Sequence, residues 1–156
     1  MAQTSSTDLL EASLRHLRDA EHLAGIGQPC QQRSLPQAYH LAGFGPECAR
    51  KAAIAAPWTT KLGANKLLSH EIGDGAEAIM TLIAMLEPRA AFDALRDWGR
   101  SYPELAQWAP ECRYWPERNF QADKVQEIIR ESQLVVHEII ARLWGDGQLR
   151  WKDFSK

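Results

Sequence analysis

The chain has 156 residues, of which 45% are hydrophobic and 24% charged, and its formal net charge is −2. These values predict one globular domain and exclude a strongly basic protein that holds nucleic acid by its overall charge. Charges interrupt every apolar run near the N-terminus, and no run reaches the roughly eighteen apolar residues of a membrane span. We therefore expect neither a signal peptide nor a membrane segment. Three cysteines without CxxC spacing (Cys30, Cys48 and Cys112) predict reduced thiols in a cytoplasmic protein.

The first helix is predicted from about Asp8 to Ala24. The preceding TSST run offers N-cap residues, and Leu10, Leu14 and Leu17 form an apolar stripe at helical spacing. Gly25 is expected to end this helix, because glycine readily adopts the left-handed backbone that closes helices. A loop rich in Gly, Gln and Pro follows.

The second helix is predicted from about Ser34 to Ala55, but it contains Gly43, Gly45 and Pro46. Glycine costs roughly 1 kcal/mol and proline roughly 3 kcal/mol in a helix interior. Small residues at spacings of three and four would let neighbouring helices approach closely, so we expect tight packing. Pro46 additionally predicts a kink or a break near Gly43.

Three further segments complete the chain. A third helix is predicted from about Ser69 to Leu86, and Pro88 opens a short helix that ends near Trp98. From Gly99 to Asn119, aromatic residues alternate with prolines, which predicts an irregular loop anchored by its aromatic side chains. The last helix is predicted from about Gln121 to Trp144. We expect one all-α domain over residues 8–144, an antiparallel bundle of four to five helices, and a short tail over 145–156.

Four motifs in this order resemble the HEPN domain family, and the resemblance covers roughly residues 8–144. The first two lie in the second predicted helix: an aromatic-His and small-residue motif, and a Glu-Cys-x-x-Lys motif. A His opens the third helix, and an Arg-Tyr pair precedes the last one. The matching positions are Tyr39, His40, Gly43, Glu47, Cys48, Lys51, His70, Arg113 and Tyr114. Pro46 departs from the family pattern, which puts the straightness of the second helix in question.

The resemblance implies an antiparallel four-helix core that is frequently dimeric, and a place in toxin–antitoxin, nucleotidyltransferase-associated or defence systems. It also implies that active members are metal-independent ribonucleases that use an Arg and a His separated by four to six residues. His supplies an acid or base near neutral pH, and Arg stabilises the charge that develops on phosphate.

The Arg-His spacing with six intervening residues occurs three times here: Arg15 with His22, Arg33 with His40, and Arg130 with His137. Such a short pattern also arises by chance. Arg130 and His137 are the best catalytic candidates, because both would project from the same side of a regular helix. The alternative interpretation is an ordinary solvated helix face. No His follows Arg113 within reach, which argues against a standard active nuclease.

Binding candidates lie in the aromatic loop, where Tyr102, Trp108 and Trp115 with Arg113 and Arg118 could stack on bases. Tyr114 is a further binding candidate beside Arg113. Loop packing on the core is the alternative. Glu47 and Lys51 are expected to pair across one helical turn, and His70 to make a polar contact near its helix start. We expect no metal and no cofactor, since neither ligand spacing nor a phosphate-binding loop is present.

Two functions remain open at this point. One is a HEPN-like RNA-binding module or degenerate, conditional ribonuclease of a toxin–antitoxin or defence system. The other is a non-catalytic homodimer that docks a partner, such as a nucleotidyltransferase or an antitoxin. Leu134 and Trp144 lie off the predicted core stripe of the last helix, and a second copy of the chain would bury them.

Overall fold

Helices account for the secondary structure of the computed structural model, which describes residues 6–27, 32–54 and 98–145, together with 147 and 149. The helices are α1 (Ser6–Ala24), α2 (Leu35–Ile54), α3 (Trp98–Ser101) and α4 (Ala122–Gly145). Three 3-10 turns, Leu105–Gln107, Pro110–Tyr114 and Glu117–Asn119, lie between α3 and α4. No strand occurs within these ranges, which confirms the all-α prediction. The predicted helix over 69–86, the short helix after Pro88, and tail residues 150–156 lie outside the described residues.

The end of α1 follows the prediction closely. Gly25 has a φ of +75°, the left-handed conformation that favours glycine. The Gly25 N–H donates to the carbonyl of His22 (3.0 Å), and the Ile26 N–H donates to the carbonyl of Glu21 (2.9 Å). These two bonds form a Schellman motif, which satisfies carbonyls that the end of a helix otherwise leaves without partners.

The contact between α1 and α2 explains one of the two glycines. A Cβ atom on Gly45 would lie 2.8 Å from the side chain of Leu17, so the small residue permits the close approach. At the same place the Ser13 hydroxyl donates a hydrogen bond of 2.7 Å to the carbonyl of Gly45. The face also contains four buried alanines, namely Ala38, Ala42, Ala49 and Ala52. Tight packing between these helices is therefore confirmed.

The predicted break at Pro46 is wrong, because α2 continues through this residue from Leu35 to Ile54. Proline lacks the N–H that would bond to the carbonyl of Ala42, so one helical hydrogen bond is lost. Pro46 is itself fully buried. Burial of this apolar ring is favourable and opposes that loss. A bend without a break remains the expectation.

The inner face of α4 closes the core against both other long helices, since α4 packs on α2 and on α1. Its buried apolar residues recur at helical spacing: Val125, Ile128, Ile129, Val135, Val136, Ile139 and Leu143. After the helix, the Leu149 N–H donates to the carbonyl of Leu143 (3.1 Å) and the Leu149 side chain is buried. Among the described helices, none is long and apolar enough to cross a membrane.

Candidate functional site

The segment between α3 and α4 carries the binding candidates, and Trp108 fixes it to α2. The Trp108 side chain is buried, and its indole N–H donates a hydrogen bond of 3.1 Å to the carbonyl of His40. A Cβ atom on Gly43 would lie 2.2 Å from the indole ring. Real Cβ atoms do not come that close, so the indole occupies space that only glycine leaves open. This contact explains the other glycine of α2.

Carboxylates provide a second set of anchors for the same segment. The Glu131 carboxylate accepts a hydrogen bond of 2.7 Å from the backbone N–H of Leu105, and only 1% of this residue is exposed. The hydroxyl of Tyr39 donates to Glu104 (3.1 Å), and that of Tyr102 donates to Glu138 (3.1 Å). Burial raises the pKa of Glu131 above its ordinary value, although the bond from Leu105 opposes this. These three hydrogen bonds, one from a backbone N–H and two from tyrosine hydroxyls, attach the segment to α2 and α4.

Cys112 and His40 form a contact that resembles a catalytic pair but lacks its chemistry. Cys112 is buried, and its sulfur lies 3.4 Å from Nδ1 of His40. Burial, followed by the nearby charge of Glu111, raises the pKa of the Cys112 thiol to about 11. A nucleophilic cysteine needs the opposite shift, because the thiolate is the reactive form. This thiol therefore stays protonated near neutral pH and anchors the 3-10 turn Pro110–Tyr114.

Four of the predicted binding residues are exposed, and we call Arg113, Tyr114, Trp115 and Arg118 the aromatic ledge. Tyr114 is 75% exposed, and the guanidinium carbon of Arg113 lies 4.8 Å from the centre of its ring. Trp115 is 38% exposed and is supported from beneath by Phe120, whose ring centre lies 6.2 Å away at an angle of 28°. The ledge therefore presents two aromatic side chains and two guanidinium groups to solvent.

The loop-packing alternative holds for the other aromatic side chains of this loop. Tyr102 and Trp108 are 4% and 5% exposed, respectively, and both donate hydrogen bonds to protein acceptors. The aromatic residues of the loop thus divide into two groups, one that anchors the loop and one that faces water.

The catalytic candidates Arg130 and His137 both lie on the exposed side of α4. They are seven positions apart in the helix, which corresponds to about 10 Å along the axis. The Arg130 guanidinium donates two hydrogen bonds to Glu127, of 3.0 and 2.5 Å. These bonds, and the charge of Glu127, raise the pKa of Arg130 and lower that of Glu127. Arg130 therefore forms an exposed ion pair with Glu127. The spacing of three residues is one at which such pairs form on a helix.

The other two Arg-His pairs are no better assembled for cleavage. His22 lies on the exposed part of α1 near Arg15 and Arg18, as a solvated face predicts. Arg33 is exposed ahead of α2, whereas the His40 ring contacts Cys112 and packs against Phe44 at 4.7 Å between ring centres.

Glu47 and Lys51 form the predicted ion pair within α2. The side chains are only 5% and 14% exposed, so this pair is shielded from water. The pairing supports a structural role. His70, which was expected to make a polar contact near the start of its helix, lies outside the described residues. In the part of the chain that the structure describes, no group of three or more His, Cys, Asp or Glu side chains has the arrangement of a metal site.

Glu131 was not predicted as a site residue. Its position between Ile128 and Val135, on the apolar face of α4, was the available signal. A carboxylate on a core face needs a hydrogen-bond donor from elsewhere in the fold.

No protein family model matches this chain, and no curated protein or solved structure does so. The resemblance to the HEPN domain therefore rests on the motif residues alone. Of these, Tyr39, His40, Gly43, Glu47, Cys48 and Lys51 lie on α2, and Arg113 and Tyr114 belong to the ledge.

Proposed function

We propose that this chain is a HEPN-like module that binds single-stranded RNA through the aromatic ledge, as part of a toxin–antitoxin or defence-type system. The observation that carries the proposal is the exposure of Tyr114, 75%, beneath the guanidinium of Arg113. The HEPN resemblance supports the proposed setting, and the ledge supports the proposed ligand.

Packing accounts for Tyr102 and Trp108, and in part for Trp115, whose ring lies 6.2 Å from those of Phe120 and Tyr39. It does not account for Tyr114, which is 75% exposed. Stacking of a base on an exposed aromatic ring contributes roughly 1–3 kcal/mol and tolerates any base, since every base has a π-face. Arg113 can stack in the same way. Arg118 lies in the next 3-10 turn, Glu117–Asn119, and we expect its guanidinium to contact phosphate. The ledge thus combines the two kinds of contact that single strands offer.

The charge around the ledge sets the expected salt dependence. Glu111 and Glu117 are exposed beside Arg113 and Arg118, so the local net charge is small. One phosphate contact, from Arg118, predicts a slope of about −0.7 for log affinity against log salt, which is the contribution of each contact on a single strand. We therefore expect modest affinity that depends mainly on stacking.

Fluorescence anisotropy with a labelled single-stranded RNA of mixed sequence tests the proposal. Tyr114→Ala should weaken binding about tenfold or more, the equivalent of one lost base stack. Trp144→Ala is the matched control, because Trp144 is also an exposed aromatic residue (48%) but lies on α4 far from the ledge. Wild-type protein that binds no single strand, or Tyr114→Ala that binds as tightly as wild type, would refute the proposal.

Cleavage is proposed to be absent from the isolated chain. The bonds from Arg130 to Glu127 leave its guanidinium less free to contact a phosphate. A conditional ribonuclease would need these bonds to open when a partner binds. Incubation of RNA with purified protein in a metal chelator tests this point. Cleavage that His137→Ala abolishes would make the chain an active ribonuclease, whereas cleavage that His137→Ala retains would direct attention to Arg33 and His40.

A second candidate is a non-catalytic homodimeric interaction module that docks a partner such as a nucleotidyltransferase. Leu134 and Trp144 favour it, since they are 41% and 48% exposed on the outer side of a regular helix. Co-expression with the product of a neighbouring gene, followed by purification of the complex, is the direct test. Loss of such a complex on Leu134→Glu, with RNA binding unchanged, would support this candidate.

A further inference from the structure

The ring of Tyr114 has one covered face and one open face. The guanidinium carbon of Arg113 lies 4.8 Å from the centre of the ring and covers one side of it. Because 75% of Tyr114 is exposed, the opposite face is open to solvent. A base can therefore stack on this ring from one side only, and its hydrogen-bonding edges then project toward the residues beside the ring.

Glu111 is the residue that borders this ring along the 3-10 turn Pro110–Tyr114. A 3-10 helix has three residues per turn, so side chains three positions apart eclipse each other. Glu111 and Tyr114 have this spacing and are both exposed, so they lie side by side on one face of the turn. Within the described residues, the Glu111 carboxylate takes part in no hydrogen bond or ion pair. Both of its oxygens are available to a ligand that binds beside Tyr114.

A carboxylate has a distinct effect in a site for nucleic acid. It repels every phosphate group of the strand, and it therefore lowers the affinity for all sequences. It also accepts hydrogen bonds without donating any, so it favours ligand atoms that donate. Phosphates carry no such donors, whereas the edges of the bases do. Glu111 therefore discriminates between bases, although it weakens binding overall.

The bases differ in how their edges meet a carboxylate. Guanine carries two neighbouring donors on its Watson–Crick edge, N1–H and the N2 amino group, which match the two carboxylate oxygens. Adenine and cytosine each carry one amino donor beside a ring nitrogen that accepts, and a carboxylate repels that acceptor. Uracil has a single donor, N3–H, between two carbonyl oxygens. Guanine is accordingly the one common base of RNA that offers a carboxylate two hydrogen bonds.

We propose that Glu111 makes the aromatic ledge selective for guanine, by accepting hydrogen bonds from N1–H and N2–H of a guanine that stacks on the open face of Tyr114. This selectivity rests on the proposed function, because it requires a single strand to bind at the ledge. A good bidentate contact discriminates between bases by roughly fivefold to 150-fold. Since Glu111 and Tyr114 are exposed to water, we expect a preference near the lower limit, about fivefold.

Competition measured by fluorescence anisotropy tests the preference. Short oligouridines with one central guanine, adenine or cytosine, and one without substitution, compete against a labelled RNA of mixed sequence. The guanine strand should bind wild-type protein about fivefold more tightly than the other three. Inosine in place of guanine, which lacks the N2 amino group, should remove most of this difference. 7-Deazaguanine, which keeps both donors, should retain it.

Glu111→Gln should shift the affinities of two strands in opposite directions. The guanine strand should bind less tightly, because the amide group of glutamine presents a donor to the donors of guanine. The unsubstituted oligouridine should bind at least as tightly as before, because a negative charge near its phosphates is removed. A purely structural role of Glu111 would instead weaken the binding of both strands.

Glu117→Gln is the matched control. It removes the same charge from the same exposed loop. However, Trp115 and Pro116 have extended backbone conformations, so Glu117 belongs to a different 3-10 turn from Tyr114. This variant should change the affinities for all four strands alike and leave the preference for guanine intact.

The possible outcomes separate this selectivity from RNA binding itself. Equal binding of all four strands, still lost on Tyr114→Ala, would overturn the selectivity and retain the ledge as the RNA site. A preference for adenine or cytosine would also overturn it, as would a preference for guanine that survives Glu111→Gln. Wild-type protein that binds no strand would overturn both proposals. Circular dichroism of each variant checks that a change in binding does not reflect unfolding.

Discussion

Gly43→Ala is the most direct perturbation of the contact that holds the aromatic loop on α2. The new methyl group would lie 2.2 Å from the indole of Trp108, whereas carbon atoms in contact normally sit about 3.5–4.0 Å apart. The indole must therefore move by more than 1 Å to restore a normal contact distance. Because its N–H is bonded to the carbonyl of His40, this movement also breaks a hydrogen bond.

The expected magnitude follows from three contributions. Overpacking of a core costs about 1–3 kcal/mol, and a lost hydrogen bond costs about 1 kcal/mol. The higher helix propensity of alanine offsets about 1 kcal/mol of this loss. The free energy of unfolding should consequently fall by about 2 kcal/mol, measured by urea denaturation followed by circular dichroism.

Gly43→Ala in a Trp108→Ala background tests the steric explanation, because the effect on stability should then change sign. When Trp108 is replaced by Ala, the obstructing ring is absent, so Gly43→Ala should now stabilise by up to about 1 kcal/mol through helix propensity. Gly145→Ala is the matched control, since a Cβ there meets nothing within 4 Å. If Gly43→Ala destabilises equally with and without the indole, the steric explanation is wrong.

Three further predictions concern packing and ionisation. Ala49→Leu should destabilise by roughly 1–3 kcal/mol through overpacking of the α1–α2 contact; an unchanged melting temperature would show that this face has room. Ser13→Ala should lower the free energy of unfolding by about 1 kcal/mol, because it removes the hydrogen bond to the Gly45 carbonyl. Equal urea midpoints for variant and wild type would show that this bond does not contribute to stability. Glu131 has a raised pKa in the folded chain. Between the ordinary pKa of Glu and this raised pKa, the native state therefore binds more protons than the unfolded state. The free energy of unfolding should consequently fall as the pH rises between those two pKa values. Glu131→Gln should flatten this part of the stability–pH curve, and an unaltered slope would contradict the assignment.

Local features of the fold were predictable because they depend on neighbours along the chain. The end of α1 at Gly25 and the buried stripe of α4 both follow from residue type and helical period. The ion pair of Glu47 with Lys51 follows from a spacing of four. The exposure of Tyr114 and Trp115 was one of two alternatives, and the sequence could not decide between them.

Contacts between distant segments were not predictable in the same way. Gly43 was expected to pack closely, but nothing in its neighbourhood identified Trp108, which lies 65 residues further along the chain. The sequence shows that Glu131 lies on an apolar helix face. It does not identify the hydrogen-bond partner, because that partner is a backbone N–H, which every residue except proline carries. The break expected at Pro46 failed because burial of the ring, which depends on tertiary packing, offsets the lost helical bond.

The division of the aromatic loop into inward and outward residues separates folding from recognition. Tyr102, Leu105, Trp108, Cys112 and Phe120 hold the loop to the body, and all are buried. Arg113, Tyr114 and Arg118 contribute to none of these anchors. The loop therefore behaves as a display scaffold, on which these three positions can be randomised with little loss of stability. A library built on them should yield folded proteins with altered ligand preference, whereas randomising the buried set should yield few that fold.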